Sequence, residues 1–228
     1  MIYTNIADNY KRICDNVERV KANHGITGEV RIMAVTKGVE PDKVNFAINE
    51  GISLIGENRV QEFLQKESFY VKDSRNYEIH FIGGLQNNKV KYIINHVSMI
   101  QSADSLKLIT EINKRAQAAE CTMDVLIEVN IGDEDTKHGV QPDKLSELIA
   151  QTDEQPNVQL RGLMAIPPYG AEEAMYARMH ELFTEAKAQV KSPSRFDVLS
   201  MGMSEDYTVA IKHGANIIRI GSALFGSR

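Results

Sequence analysis

Apolar residues at steps of three and four indicate an amphipathic helix at the start of the chain. Ile6, Tyr10, Ile13 and Val17 fall on one face of this segment, as expected for a helix with one buried side. The pattern stops at Gly25, a residue that commonly ends helices. We therefore predict an N-terminal helix that ends near this glycine.

After this helix the pattern changes to short apolar runs separated by helical patterns. Eight such runs are visible, at 31–36, 52–55, 78–82, 97–100, 124–130, 159–165, 196–200 and 216–220. The clearest helical stripe between them lies at 171–190. Two further helix starts carry proline followed by aspartate, at Pro41 and at Pro142, which suits the first turn of a helix.

Continuous apolar strands that alternate with helices are typical of a parallel sheet. Eight such units without a long linker favour closure into a barrel. The sequence therefore predicts an α/β fold, a single (β/α)8 TIM barrel with an extra N-terminal helix, as one domain over residues 1–228. An open Rossmann-type sheet is the alternative, but no strand here ends in the GxGxxG pattern of that fold.

Chemistry in such a barrel belongs at the carboxyl ends of the strands. Alternation places Met33, Val35 and Lys37 on one face of the first strand, so Lys37 lies at the barrel mouth if Val35 points inward. An amine held against apolar side chains loses hydration, and the neutral amine is the form that attacks an aldehyde. The alternative for Lys37 is a solvated lysine on a loop.

A charged residue interrupts the last apolar strand. Ile217 and Arg219 share one face of this strand. If that face is the barrel interior, the charge of Arg219 needs a partner to offset its desolvation. A ring nitrogen or a phosphate of a ligand would serve, and a carboxylate in the surrounding helices is the alternative.

Small residues follow the seventh and eighth strands. Ser200, Met201 and Gly202 come after the seventh, and the pair Gly221-Ser222 comes after the eighth. The corresponding loops often form a phosphate site in this fold, and glycine allows the backbone to approach a phosphate closely. Ser204, which precedes two acidic residues, is predicted to be the N-cap of the next helix.

Composition and charge narrow the class of function. The net charge of −5 argues against a nucleic-acid binder, which normally carries a basic patch. The sequence shows no secretory signal and no membrane-spanning run, so we expect a soluble cytoplasmic protein with Cys14 and Cys121 reduced. The histidines show no metal-binding spacing, and we interpret the acidic run 133–135 as a solvated turn rather than a calcium loop.

Several motifs together resemble one known family. They are AVTK at 34–37, GENRVQE at 56–62, HFIGGLQNNK at 80–89, RGLMAI at 161–166, LSMGMSEDY at 199–207 and IRIGSALFG at 218–226. In this order they resemble the pyridoxal phosphate homeostasis proteins, relatives of the N-terminal barrel of bacterial alanine racemases. The resemblance extends over almost the whole chain from the first strand onward.

The resemblance implies that the chain binds pyridoxal 5′-phosphate (PLP), through Lys37, Asn58, His80, Ser200, Met201, Arg219, Gly221 and Ser222. Lys37 would form the Schiff base, and Arg219 would face the pyridine nitrogen. The phosphate would be held by Ser200, Gly221 and Ser222, while Asn58 and His80 would line the ring pocket. One departure concerns a second lysine that is common in the family two positions after the first. Val39 stands there, although Lys137 occupies a position where the family also tends to show lysine.

The remaining question is whether the protein is an enzyme or a carrier. A racemase needs a base on each face of its substrate, and in the racemases the second base comes from an additional domain. The chain ends at Arg228, directly after the last strand, so we expect no such domain. A charged Arg219 beside the ring nitrogen would also weaken the electron sink.

Both arguments predict a carrier that buffers PLP or delivers it to PLP-dependent apoenzymes. Because no exposed apolar seam stands out in the sequence, we expect a monomer. A PLP-dependent racemase is the alternative function. A third hypothesis is an aldolase-like barrel that uses Lys37 on a sugar phosphate.

Overall fold

The structure, a computed structural model, describes residues 3–71, 77–132 and 138–226. Eight parallel strands pair in chain order and close into a barrel. They are β1 (Arg31–Val35), β2 (Leu54–Glu57), β3 (Glu78–Phe81), β4 (Met99–Ala103), β5 (Met123–Val129), β6 (Val158–Ala165), β7 (Val198–Ser200) and β8 (Ile217–Ile220). This confirms the predicted (β/α)8 barrel and the position of each strand in the chain.

Helices surround the barrel and precede it. They are α1 (Thr4–His24), α2 (Pro41–Asn49), α3 (Val60–Lys66), α4 (Leu106–Ala118), α5 (Leu145–Asp153), α6 (Glu173–Lys187), α7 (Tyr207–Lys212) and α8 (Ser222–Phe225). The extra N-terminal helix ends as predicted, with Gly25 in the left-handed conformation at φ 65°. A 3₁₀ turn, Pro142–Lys144, precedes α5, so the predicted helix start at Pro142 lies in that turn.

The core has two layers, one inside the barrel and one between the barrel and the helices. The inner layer is a cluster of side chains that point into the barrel: Met33, Val35, Leu54, Ile82, Met99, Leu126, Met164, Val198 and Ile217. Alternate residues of the same strands, such as Ala34, Ile218 and Ile220, pack outward against the helices. The predicted alternation along the first and last strands is therefore confirmed.

Helix α1 covers part of the outer layer and is attached by side-chain hydrogen bonds. Asn9 Nδ2 donates to the carbonyl oxygen of Leu224 in α8 at 3.0 Å. Asn16 Nδ2 donates to the hydroxyl of Tyr207 at 2.7 Å. The additional helix therefore supports the two short helices that follow β7 and β8.

Strands β2 and β4 extend further toward their carboxyl ends than the apolar pattern predicts. Buried polar residues occupy these ends, namely Glu57 in β2 and Gln101 and Ser102 in β4. A pattern based on hydrophobicity ends at such residues, whereas the strand continues because its backbone hydrogen bonds do not depend on side-chain polarity.

Two negative findings apply to the ranges 3–71, 77–132 and 138–226. No helix in these ranges is both long and apolar enough to cross a bilayer. No group of three or more His, Cys, Asp or Glu side chains in them could hold a metal ion. The acidic run 133–135 and Lys137 lie outside the described residues.

Candidate functional site

A cavity of about 650 Å³ lies at the carboxyl ends of the strands. This is where barrels of this type carry their chemistry, and the volume suits a small-molecule ligand. Its lining comes from the segments after β1, β2, β3, β6, β7 and β8: Val35, Lys37, Gly38, Val39, Lys43, Asn58, Ile82, Ile166, Met203, Ser204, Glu205, Arg219, Gly221, Ser222, Phe225 and Gly226. Five of the predicted site residues are among them, namely Lys37, Asn58, Arg219, Gly221 and Ser222.

Lys37 lies at the barrel mouth, as the alternation along β1 predicted. Met33 and Val35 point into the barrel below it, and Lys37 is exposed where it lines the cavity. Val39 and Ile82 are apolar residues of the same lining, 7% and 6% exposed. The amine of Lys37 therefore belongs to a partly apolar cavity that is open to solvent.

The segment that carries Lys37 is anchored from below by a buried carboxyl group. Glu57 Oε1 accepts hydrogen bonds from the hydroxyl of Thr36 at 2.7 Å and from that of Tyr70 at 2.6 Å. Burial raises the pKa of Glu57, although both hydrogen bonds oppose the shift. The residue directly before Lys37 is thus fixed to β2 through its side chain.

A second carboxylate holds the residue directly after Lys37. Glu62 accepts the backbone N–H of Gly38 and lies 2.6 Å from Lys66 Nζ. Lys66 in turn donates to the carbonyl oxygen of Thr36 at 2.9 Å. Two carboxyl groups and one ammonium group therefore position the backbone on both sides of Lys37.

Arg219 projects from β8 into the barrel and reaches the floor of the cavity, where it is 4% exposed. Its Nη1 donates to the carbonyl oxygen and the Oγ of Ser200, both at 2.8 Å, and its Nη2 donates to the carbonyl oxygen of Ala165 at 2.7 Å. Burial lowers the pKa of Arg219 to about 10, so the guanidinium stays charged at neutral pH.

No carboxylate of the described ranges lies within 4 Å of this guanidinium. The structure thus contradicts the alternative that Arg219 pairs with an acid in the helical ring. Its hydrogen-bond partners are neutral oxygens inside the barrel.

His80 and Ser200 lie inside the barrel rather than in the lining of the cavity. Both are completely buried. Ser200 Oγ is 2.7 Å from Gln101 Oε1, and Gln101 Nε2 is 2.8 Å from His80 Nδ1. The structure therefore connects Ser200 to Arg219 directly and His80 to Arg219 through Gln101 and Ser200, and the direct contact of either residue with a ligand stays a prediction.

Below His80 the hydrogen bonds continue to the amino end of the barrel. His80 Nε2 lies 3.2 Å from Glu78 Oε2, and Glu78 also accepts from Arg31 Nη2 at 2.8 Å. Burial lowers the pKa of His80. The hydrogen bond from His80 is the largest of the effects that lower the pKa of Glu78 to about 2.

Ser204 does not cap the helix that follows it. Its Oγ accepts the backbone N–H of Ala223 at 3.2 Å, in the first turn of α8. The residue at the N-cap of α7 is Asp206, whose Oδ1 accepts the backbone N–H of Met203. The prediction was wrong because Ser204 turns toward the next helix in space, a contact that local sequence does not encode.

Gly202 allows the loop after β7 to make this turn. Its φ is +93°, and a Cβ there would lie 2.5 Å from the Cβ of Ala210. Its carbonyl oxygen accepts the N–H of Arg219 at 2.9 Å. The side chain of Met201, by contrast, is fully buried in the outer apolar layer, so any contact with a ligand would come from its backbone.

Asn58 lies at the edge of the cavity below the loop after β3. Its Oδ1 is buried, with no hydrogen-bond partner among the described residues. Gly83 lies against its backbone, since a Cβ on that glycine would be 2.2 Å from the carbonyl oxygen of Asn58. Asn58 therefore leaves one buried acceptor unsatisfied beside the cavity.

Sequence reasoning missed three residues at or near the site. Lys43, on α2, gives the cavity a second lysine, and only helix packing reveals this. Gln101 and Glu128 are buried polar residues in strands, and the signal for both was a polar side chain within an apolar run. Burial raises the pKa of Glu128 to about 7, while the charges of His138 and Arg219 oppose the shift.

Comparison with known proteins agrees with this geometry. The family described as "Alanine racemase, N-terminal domain" matches residues 9–228. A pyridoxal phosphate homeostasis protein from Aquifex aeolicus is 42% identical, with 98% of this chain and 99% of that protein covered. The protein of that name from Escherichia coli K12 is 37% identical, over 98% and 97%.

Solved structures show the same fold. PipY from Synechococcus elongatus, in a structure described as having PLP bound, superposes with a TM-score of 0.80 at 30% identity, covering 92% of this chain and all of that one. An alanine racemase from Clostridium difficile gives 0.73 at 14% identity, covering 97% of this chain and 57% of the racemase, so this likeness concerns the fold alone. The chain therefore belongs to the pyridoxal phosphate homeostasis protein family, whose barrel is that of the alanine racemase N-terminal domain.

Proposed function

We propose that this chain binds PLP as a Schiff base on Lys37, and that it buffers or delivers the cofactor without significant catalytic turnover. The observation that carries the proposal is that one cavity is lined by Lys37, Arg219 and the Gly221-Ser222 pair. The names of the relatives and the PLP-bound PipY support the same ligand. We place this role in the cytoplasm and assign it to a monomer, with PLP-dependent apoenzymes as recipients.

The residues in the cavity suit the polar groups on the ring of PLP, namely the aldehyde, the ring nitrogen and the hydroxyl. Lys37 provides an amine for the aldehyde. Arg219 lines the cavity and has donors for the ring nitrogen, because its hydrogen bonds to Ser200 and Ala165 use three of the five guanidinium N–H groups. Asn58 Oδ1 is a buried acceptor that has no partner in the part of the chain that the structure describes.

The end of the cavity formed by α8 suits the phosphate. Ser222 is the first residue of this helix, and its backbone N–H comes too early in the helix to have an acceptor within it, whereas the N–H of Ala223 is already donated to Ser204 Oγ. Gly221 has no side chain to block an approaching oxygen. The participation of Ser200 and Met201 in phosphate binding remains a prediction.

Lys37 would supply the neutral amine that condenses with the aldehyde of the bound cofactor, with loss of water as the C=N bond forms. Bound PLP supplies an electron sink for carbanions, and that sink is strongest when the ring nitrogen is protonated. Because Arg219 stays charged, it opposes this protonation, which favours a carrier over a racemase.

Absorption spectroscopy with borohydride reduction tests the proposal. We expect a visible imine band after addition of PLP to the purified protein, and we expect borohydride to attach the cofactor to Lys37. Lys37→Ala should abolish the band and the labelling. Lys43→Ala is the matched control, because Lys43 lines the same cavity, and it should retain both. Labelling at Lys43 would reject the proposal. An imine that forms only after a sugar phosphate is added, and not with PLP, would also reject it and would favour an aldolase.

Two further assays separate a carrier from an enzyme. Racemisation of alanine and other amino acids by the loaded protein should not exceed background, whereas turnover that depends on Lys37 would establish a racemase. Transfer of PLP to an apoenzyme is measured by the recovery of that enzyme's activity. Recovery no faster than with free PLP would leave buffering and remove delivery from the proposal.

A further inference from the structure

A continuous chain of hydrogen bonds crosses the interior of the barrel from the cavity to its opposite end. It connects Arg219, Ser200, Gln101, His80 and Glu78 with donor-to-acceptor distances of 2.8, 2.7, 2.8 and 3.2 Å. Arg219, Ser200, Gln101 and His80 are at most 4% exposed. Bulk water is thus kept away from the first three links, whereas Glu78 is exposed at the amino end of the barrel.

The direction of each link follows from the two ends of the chain, because Arg219 can only donate and ionised Glu78 can only accept. His80 Nε2 therefore donates to Glu78, and the Nδ1 of the neutral ring is left as an acceptor for Gln101 Nε2. This orientation of the amide places Gln101 Oε1 against Ser200 Oγ. Ser200 donates its single proton to that oxygen while it accepts from Arg219.

The charges at the two ends agree with this order. Glu78 is an anion that also accepts from Arg31 at 2.8 Å, and Arg219 is a cation with no carboxylate of the described ranges within 4 Å. All the donors therefore point from the cation at the cavity toward the anion at the amino end. Reversal of any one link would place two donors or two acceptors against each other.

We propose that Gln101 and His80 are positioning residues for Arg219. They hold the hydroxyl of Ser200 as an acceptor, and Ser200 holds both N–H groups of Arg219 Nη1 through its Oγ and its carbonyl oxygen. The guanidinium is thereby kept in one orientation, with its remaining N–H groups available to the ring nitrogen of the ligand. This inference rests on the proposed function, because it assigns PLP as that ligand.

The first test needs neither PLP nor a variant. In the unliganded wild-type protein, ¹⁵N NMR of the His80 ring should show a protonated Nε2 and an unprotonated Nδ1 at neutral pH. A proton on Nδ1 would overturn the proposed order of donors. Because this measurement is independent of Lys37 and of the cofactor, it gives an answer even if the proposed function fails.

The second test interrupts the chain in its middle. Gln101→Leu removes both links, so Ser200 can rotate its proton away and Arg219 loses its fixed position. We expect the affinity for PLP to fall about tenfold, as for the loss of a hydrogen bond to a charged group, and the visible band to shift in wavelength. Unchanged affinity together with an unshifted band would refute positioning by Gln101.

Gln101→Glu is the conservative second variant. A carboxylate still accepts from Ser200, but it cannot donate to His80 Nδ1. We expect a proton to appear on Nδ1, while the band stays closer to that of the wild type than in Gln101→Leu. Ser102→Ala on the same strand is the matched control, since Ser102 Oγ is buried without a partner among the described residues, and it should leave the band and the His80 ring unchanged.

The two proposals fail in different ways. If wild-type protein gives no imine band but His80 shows the expected proton on Nε2, the proposed function is wrong and the donor order stands. If the band forms on Lys37 but neither Gln101 variant alters its position or the affinity, the positioning role is wrong and the PLP-binding function stands.

Discussion

On the Lys37 side of the cavity the backbone is held by acids, whereas on the Arg219 side the cation is held by neutral oxygens. Glu57 and Glu62 accept from the residues next to Lys37. Arg219 instead donates to Ser200 and to the carbonyl oxygen of Ala165. The two sides therefore differ in how much of their positive charge is neutralised within the protein.

This difference indicates separate tasks for the two sides. Near Lys37, the ammonium of Lys66 is paired with Glu62 at 2.6 Å, so that side mainly positions a reactive amine. At Arg219 the charge remains unpaired by the described carboxylates at close range, and its field acts on whatever occupies the cavity. Such a cavity favours a ligand that has a basic ring nitrogen and an anionic phosphate.

The largest effect is expected when the carboxyl anchor on the Lys37 side is removed. Glu57→Leu leaves the buried hydroxyl of Tyr70 without its acceptor, and it leaves Thr36 only the longer contact to the carbonyl oxygen of Gly56 at 3.3 Å. We expect a loss of about 3 kcal/mol in the free energy of unfolding, from 1–3 kcal/mol for the orphaned hydroxyl and a smaller cost for the weakened contact of Thr36, measured by urea denaturation. Glu57→Gln, which retains an acceptor oxygen, should lose less than about 1 kcal/mol. Equal losses in both variants would show that the hydroxyl contacts are not the anchor.

The next effect concerns Glu128, the carboxyl group whose charge acts most strongly on Arg219. Burial raises its pKa from 4.5 to about 7, so the folded state binds this proton more tightly than the unfolded state does. The stabilisation of the folded state that comes from this bound proton is complete below pH 4.5, and it is lost as the pH rises through 7.

Glu128→Gln should therefore be more stable than the wild type above pH 7, by about 2 to 3 kcal/mol on the scale of 1.4 kcal/mol per pKa unit. The difference should disappear toward pH 4.5. Urea denaturation of both proteins between pH 5 and pH 9, at the same ionic strength, measures this difference in stability. A difference that is independent of pH would contradict the assignment to this carboxyl group.

A somewhat smaller effect is expected on the Arg219 side. Arg219→Met removes the charged donors at the cavity floor, and we expect the affinity for PLP to fall about 30-fold, or ~2 kcal/mol. Titration followed by absorbance measures this, and the imine band should still form at high PLP because Lys37 is retained. Arg219→Lys keeps the charge but not the planar fork and should recover only part of the affinity. Full recovery would mean that charge alone matters.

The smallest effect is expected at Ser204. Ser204→Ala removes the acceptor for the N–H of Ala223, a capping contact worth about 1 kcal/mol or less. We expect a loss of that size in the free energy of unfolding and a change of less than about threefold in PLP affinity. A larger loss of affinity would show that the Ser204 hydroxyl contacts the ligand itself.

The sequence was sufficient for the fold and for the part of the site that lies on strands. The periods of the apolar runs are local, so all eight strands and the alternation of Val35, Lys37, Ile217 and Arg219 could be read from neighbouring residues. The end of α1 at Gly25 was predicted for the same reason, because a left-handed C-cap favours glycine.

Only the tertiary structure decided which residues meet. Gln101 joins His80 to Ser200, which lies 99 positions after Gln101 in the chain. Ser204 accepts from Ala223 instead of capping the helix that follows it. Lys43 on α2 lines the same cavity as Lys37 on the segment before that helix. Contacts of this kind depend on barrel closure, which brings strand ends together regardless of their separation in sequence, and no local period encodes them.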